Sequence, residues 1–490
     1  IDCSKVVSFD SLHFTMRLQI LGLLIGLWSL VNTLSLTGNK VLVIHEDDSD
    51  RAKYAHFWDD LQERGFQITH STPKSSTLNL FQHGTPAFSH LIILPTKAKG
   101  LGPALSANLL VDFINQGSNI LLALSSEYRI PAAISSLLLE LDISLPADKN
   151  SLVVDHFSYD AKSASEKHNV LVLPSPQFGR KDVQNYFSVD GAIVFPNTVG
   201  QVLGDKSPLL YPVVSAPTTA YTYHPKEENE LVEDPFATGN QISLVTAFQA
   251  RNSARLTVLG SAEMLEDKWF TARSQSSAAG SKIMTPANRE FAKRVSAWTF
   301  HELGVLNTGP VKHRLDETVH KGSTAENMAV GSYFDTEHNP NIYRIKNRVA
   351  YSIAMSEWDI DHWKPFLPAP GDHVQLEVSM LSPFHRLNLV PSPTASTFNA
   401  TVYTSEFRLP DQHGIFNFLV SHRRPFLANV EEKRTVTVRH FAHDEWPRSF
   451  VISGAWPWIS GIWVTVGAWV VFVALWLYSK PEDTAKREKR

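Results

Sequence analysis

Three groups of side chains have the types and spacing to do chemistry. His45-Glu46-Asp47-Asp48 sets an imidazole beside three carboxylates, a donor set that suits a hard cation. It directly follows the apolar run Val41-Leu-Val-Ile44, at the strand edge where open α/β sheets hold ligands. The same carboxylates also supply an N-cap and a negative first turn for a following helix, which is the simpler reading. His440, His443, Asp444 and Glu445 imitate metal-ligand spacing. Without a third histidine or a legible enclosing shell, they read instead as a polar contact surface. Gln249-Ala-Arg-Asn-Ser-Ala-Arg255 is a polar bend between two apolar strands. Its two guanidiniums could grip carboxylates or backbone carbonyls, and a buried structural network is expected there in preference to a ligand site.

Familiar catalytic signatures do not occur. No G-x-x-x-x-G-K-[ST] or G-x-G-x-x-G phosphate cradle, G-x-S-x-G elbow or H-E-x-x-H pair is found, so nucleotide cradling, serine acyl transfer and zinc proteolysis have no local support. The one cysteine, Cys3, lies ahead of Met16, leaving a chain begun at Met16 with no thiol nucleophile or disulfide. No catalytic, cofactor-binding or metal-binding residue is therefore nominated. Asn399-Ala400-Thr401 is an N-glycosylation sequon, with Asn399 either modified or partly buried and bare.

The elements that must position these residues change character along the chain. From Lys40, apolar runs alternate with helical periodicity: Val41–Ile44, a helix ending at Gly65, Phe66–Thr69, His90–Leu94, a helix from Leu105 to Asn115, and Asn119–Leu124. This grammar predicts an open, mostly parallel α/β sheet. Val170–Leu173, Ala192–Phe195, Ile242–Thr246 and Arg255–Leu259 continue that sheet or begin a second, and a helix is expected over Arg289–Leu303. The α/β region is placed at 38–306 and a polar linker at 307–341. Beyond it, Tyr351–Met355, Val374–Val378, Ala400–Tyr403, Ile415–Val420 and Thr435–Arg439 alternate with period two and lack intervening helices. A β-sandwich-like domain is expected over 342–448.

Both ends point to a membrane. Met16-Arg17 precedes the apolar run Leu18–Val31, so 1–37 reads as an upstream extension plus a signal peptide; a signal anchor or buried helix is the alternative. Ser449 to Ser479 contains no Asp, Glu, Lys, Arg or His. Its densest part, the 20 residues Ile459–Tyr478, would cross a hydrocarbon layer of roughly 30 Å at about 1.5 Å per residue. Trp456 and Trp458 mark one end and Trp476 and Tyr478 the other, where amphipathic rings favour headgroups. A transmembrane helix is expected over 456–478. The tail, 479–490, carries a net charge of +2 and belongs on the cytosolic side. Type I topology follows, with the large domain lumenal.

Composition narrows the partners. Forty-five Lys and Arg against 49 Asp and Glu give a net charge of −4, without the basic excess that nucleic acid demands. Hydrophobic residues at 43% and charged residues at 19% exclude wholesale disorder.

Gln249-Ala-Arg-Asn-Ser-Ala-Arg-Leu-Thr-Val-Leu-Gly-Ser-Ala-Glu263 resembles the 48 kDa (Wbp) subunit family of eukaryotic oligosaccharyltransferase. Glu63-Arg-Gly-Phe66, Tyr211-Pro-Val-Val214, Phe407-Arg-Leu-Pro-Asp-Gln-His-Gly-Ile-Phe-Asn-Phe418 and Val438-Arg-His-Phe-Ala-His-Asp-Glu445 resemble it in the same order. The resemblance implies a non-catalytic subunit of the endoplasmic reticulum complex that moves a preassembled oligosaccharide from dolichyl diphosphate to Asn of Asn-x-Ser/Thr. It also implies an amino-terminal fold like the glutamine amidotransferases without their nucleophile, and no cofactor. The implied partners are the multispanning catalytic subunit, a ribophorin II-like subunit, a small DAD-type membrane subunit and the lipid bilayer. The tail departs from the family's dilysine pattern at Arg487 and Glu488. A lumenal enzyme using Glu46 and Asp47, and a single-pass cargo receptor or chaperone, are the alternatives.

Overall fold

A computed structural model describes residues 34–479 except 47, 74, 76–77, 99, 148–149, 206, 226–233, 276, 278–282, 317–338, 444 and 446–453. Most of the expected signal peptide and nearly all of the tail lie outside the described residues. Leu34 to Thr37, assigned to the leader by sequence, are instead part of the folded body. The Leu34 carbonyl accepts from Trp358 Nε1 at 2.8 Å and Ser35 Oγ donates to the Phe300 carbonyl at 2.6 Å.

The first part is organised by a nine-stranded sheet. Gln67–Ser71, Lys40–Ile44, His90–Ile93, Asn119–Ala123 and Arg255–Leu259 lie side by side in that order, all parallel. The expectation of a mostly parallel sheet then fails. Ile242–Gln249 is antiparallel to Arg255–Leu259, and Gln201–Leu203, Ile143–Ser144 and Leu210–Ser215 extend the sheet with antiparallel pairs. The cause is the bend itself. Ala250 N–H donates to the Ala254 carbonyl at 2.8 Å, and so short a connection can only reverse the chain, because a parallel neighbour needs a crossover of about a dozen residues. Val170–Pro174 and Ala192–Pro196 pair with each other in a separate two-stranded sheet.

The helices expected from the sequence form at their sites with altered ends, and Ala132–Glu140 and Asp267–Thr271 are further helices that it did not predict. The first breaks at Tyr54 into Asp48–Lys53 and Ala55–Glu63, burying Phe57, Trp58 and Leu61. Leu105 falls in a 3₁₀ turn ahead of Ala107–Asn115. The helix expected over Arg289–Leu303 is Asn288–Thr299. Leu303 already belongs to the strand Leu303–Leu315, which pairs antiparallel with Arg348–Asp359. The expected boundary at 306 and the start of the expected linker therefore fall inside a 13-residue strand. Gly309-Pro310 hid it: the register shifts between Thr308 and Val311, and a bulge is where a strand tolerates proline.

The second part contains two five-stranded sheets. One holds Leu303–Leu315, Arg348–Asp359, Thr401–Arg408, Val390–Pro391 and His362–Pro365. The other holds Ile342–Arg344, Val430–Arg439, Gly414–His422, Gln375–Ser379 and Pro383–Asn388. Alternate residues of the two meet: Phe418 stands edge-on to Tyr351 and Phe407 at 6.2 and 5.5 Å between ring centres. These side chains share one continuous core with Phe57, Phe291 and Trp298 of the first part. Trp456–Tyr478 is a 23-residue helix with no buried residue, about 35 Å long at 1.5 Å per residue.

Candidate functional site

Parallel strands aim their carboxyl ends at one edge of the sheet, and ligands bind where neighbouring connections leave in opposite directions. Here that point lies between Lys40–Ile44 and His90–Ile93, because Gln67–Ser71 returns on one side and His90–Ile93 on the other. His45 and Glu46 follow the first of these strands. Glu46 Oε2 accepts from the backbone N–H of Lys97, closing the crevice from within. His45 is buried, with its ring edge-on to His70 at 5.2 Å, and His70 is edge-on to Trp58 at 5.4 Å. Asp47 and the Asp48 side chain lie outside the described residues. Among those described, no group of three or more His, Cys, Asp or Glu is placed to hold a metal.

A second polar group at the same edge was not singled out by sequence. Ser125 follows Asn119–Ala123, and Ser261 and Glu263 follow Arg255–Leu259. Ser125 Oγ donates to Glu263 Oε1, and Ser261 Oγ donates to Oε2 at 3.3 Å. Beside them, Asn197 Nδ2 donates to Glu127 Oε1 at 3.1 Å. Burial pushes the Glu263 carboxyl up to about 7, against the opposing hydrogen bond from Ser125, so it can carry or release a proton near neutrality. Clefts of about 510 Å³ and 420 Å³ open beside this group, the larger reaching Glu127, Asn197, Glu263, Lys268 and Trp269, the smaller Ser125, Tyr128 and Arg129. The group can bind polar atoms and hold a proton.

Arg255 behaves as the bend predicted. Its side chain is fully buried; Nη1 donates to the Trp298 and Leu303 carbonyls at 2.6 and 2.7 Å, and Nη2 to the Gly304 carbonyl at 2.7 Å. Burial lowers its pKa to about 9, still leaving the guanidinium charged at neutral pH. Gln249 Nε2 donates to the Leu427 carbonyl, and Asn429 N–H donates to Ser253 Oγ at 3.0 Å. The bend joins the two parts of the molecule, whereas Arg251 is exposed.

The carboxyl-terminal group is likewise occupied. Glu445 takes hydrogen bonds from Arg439 Nη1 and Nη2, both at 2.8 Å, and from Ala442 N–H at 2.9 Å. The Arg439 bonds hold its carboxyl at about 2. His440 packs on His413 at 4.2 Å between ring centres, His443 is exposed, and Asp444 lies outside the described residues. Asn399 is exposed in the turn before Thr401–Arg408.

Residues 32–302 match the family model "OST48, N-terminal domain", and 332–480 match "OST48 middle domain". The chain belongs to the OST48 family. OST48 relatives cover most of its length. It is 30% identical over 456 residues to the fission yeast (Schizosaccharomyces pombe) dolichyl-diphosphooligosaccharide–protein glycosyltransferase subunit wbp1, covering 93% of this chain and 94% of that one. The Saccharomyces cerevisiae subunit WBP1 is 30% identical, with 89% and 90% of the two chains covered. The Arabidopsis thaliana 48 kDa subunit is 26% identical, with 91% and 94% covered.

Proposed function

We propose that this chain is a non-catalytic subunit of an oligosaccharyltransferase complex, which transfers a preassembled oligosaccharide from dolichyl diphosphate to Asn of Asn-x-Ser/Thr in nascent proteins. One observation carries the reading: relatives matched along about nine-tenths of both chains bear the name of that enzyme's subunits. The structural use of three groups that the sequence offered as candidates supports a non-catalytic role. Glu46 is committed to the Lys97 backbone, Arg255 to carbonyls and Glu445 to Arg439.

In this reading the amino-terminal unit is an amidotransferase-like α/β domain without its nucleophile, and the two five-stranded sheets form a β-sandwich. The α/β unit extends to the strand Leu303–Leu315. The chain sits in the endoplasmic reticulum membrane as a type I single-pass protein with its large domain lumenal. Its partners are the multispanning catalytic subunit, a ribophorin II-like subunit and a DAD-type small subunit. Support for the anchor comes from the one described helix long and apolar enough to cross a membrane, Trp456–Tyr478. The test is affinity purification in mild detergent. Co-purification of a multispanning glycosyltransferase with transferase activity is expected, and a clean monomer overturns the assignment.

A further inference from the structure

The strand Val430–Arg439 ends on the side of the β-rich part from which the chain continues to the helix Trp456–Tyr478. Thr437, near that end, is paired with Ile342 on one side and Ile415 on the other. Their sequence neighbours Tyr343, Val436, Val438 and Phe416 are buried in the core, so alternation turns Ile342 and Ile415 outward; they are 56% and 60% exposed. The neighbouring strand Gln375–Ser379 finishes at the same level, with Ser379 opposite Asn417. The turn after it leaves Leu381 99% exposed. Met380 Sδ holds this turn against Gly414, where an added Cβ would come within 2.6 Å of the sulfur. Three large aliphatic side chains thus project from one end of one sheet.

The continuation of the chain identifies what they meet. Glu445 is clamped to this end through Arg439. Only Trp446, Pro447 and Arg448 separate it from Ser449, after which no charged residue or histidine occurs before Lys480. The connection from Glu445 to the helix start at Trp456 reaches at most about 40 Å when fully extended, so this end of the domain lies within reach of the headgroup layer. Several charges at the same end are paired internally, Lys346 with Asp411 at 2.6 Å and Arg348 with Asp316 and Glu406 at 3.0 and 2.6 Å, while Arg314 and Arg408 stand exposed there. We propose that Ile342, Leu381 and Ile415 seat the β-rich part on the phospholipid interface, so that it rests on the bilayer and does not hang free from its anchor.

The test uses the full chain with Cys3→Ser and one new cysteine at a time, Leu381→Cys or Ile415→Cys, each carrying an environment-sensitive fluorophore. Phe398→Cys is the control, because Phe398 is 87% exposed but precedes Thr401, at the opposite end of its strand from Arg408. The chains are reconstituted alone into phosphatidylcholine nanodiscs with and without doxyl-labelled phosphatidylcholine. Blue-shifted emission that is lost on the doxyl lipid is expected at 381 and 415 and absent at 398. Ile342→Cys replaces either variant whose unfolding transition is lost. Emission at 381 and 415 matching that at 398 in both discs overturns the proposal and leaves the row to a protein partner. Because the chain is tested alone, the outcome is independent of co-purification with a transferase.

Discussion

The guanidinium of Arg255 lies 4.6 Å from the centre of the Trp298 ring while its Nη1 donates to the Trp298 carbonyl at 2.6 Å. Trp298 Nε1 in turn donates to the Phe426 carbonyl at 2.8 Å. A single cation thereby ties the end of the last α/β helix to the turn before the strand Val430–Arg439.

Replacing Arg255 by Ala strands several buried carbonyls. A loss of about 3 kcal/mol or more is expected, since each unsatisfied buried acceptor costs roughly 1–3 kcal/mol. Arg255→Lys should not restore stability, because a point-like ammonium cannot serve divergent carbonyls as a planar fork does. Denaturant unfolding of the detergent-solubilised chain checks both, and an unchanged midpoint for either variant contradicts this role.

Glu263 should make stability depend on pH. Its carboxyl is raised in the folded state, so the favourable contribution is complete below the ordinary value of 4.5 and lost as pH rises through about 7. Glu263→Gln removes that loss. The variant should gain, relative to the parent, on the order of 3 kcal/mol between those limits. Parallel stability curves across this range would show that the carboxyl keeps its usual affinity for protons.

Phe418 fills the space between the two five-stranded sheets, touching His313, Tyr343, Tyr351 and Phe407. Phe418→Ala should cost about 3–5 kcal/mol through lost burial and the cavity left behind. A thermal shift smaller than that of an exposed control such as Phe398→Ala would refute the packing.

Asn399 stands exposed in its turn. Expression in a glycosylating host should give a glycosidase-sensitive increase in mass, abolished by Asn399→Gln and by Thr401→Ala. An unchanged mass after glycosidase treatment would show that the sequon is bare.

Much of this architecture was legible because it is written in short-range pattern. The apolar runs at Val41, His90 and Asn119, the helix closed at Gly117, and the uncharged span Trp456–Tyr478 all appear where periodicity puts them. The buried role of Arg255 was also foreseeable, since a charge between two apolar strands must find internal partners. Other features depend on distance along the chain. Glu263 acquires its character from burial beside Ser125, 138 residues earlier. The strand at Leu303 was concealed by Gly309-Pro310, and strand direction past Arg255–Leu259 was set by a bend whose tightness the composition does not reveal.

The bend at Gln249–Arg255 also imposes an order on biosynthesis. Gln249 bonds to Leu427, made 178 residues later, and Trp298 awaits the carbonyl of Phe426. The amino-terminal sheet therefore leaves the ribosome with its final contacts still unmade. They can close only when the turn before the last strand arrives, shortly ahead of the apolar helix Trp456–Tyr478. Closure of the folded body and emergence of the apolar helix Trp456–Tyr478 thus become nearly simultaneous events.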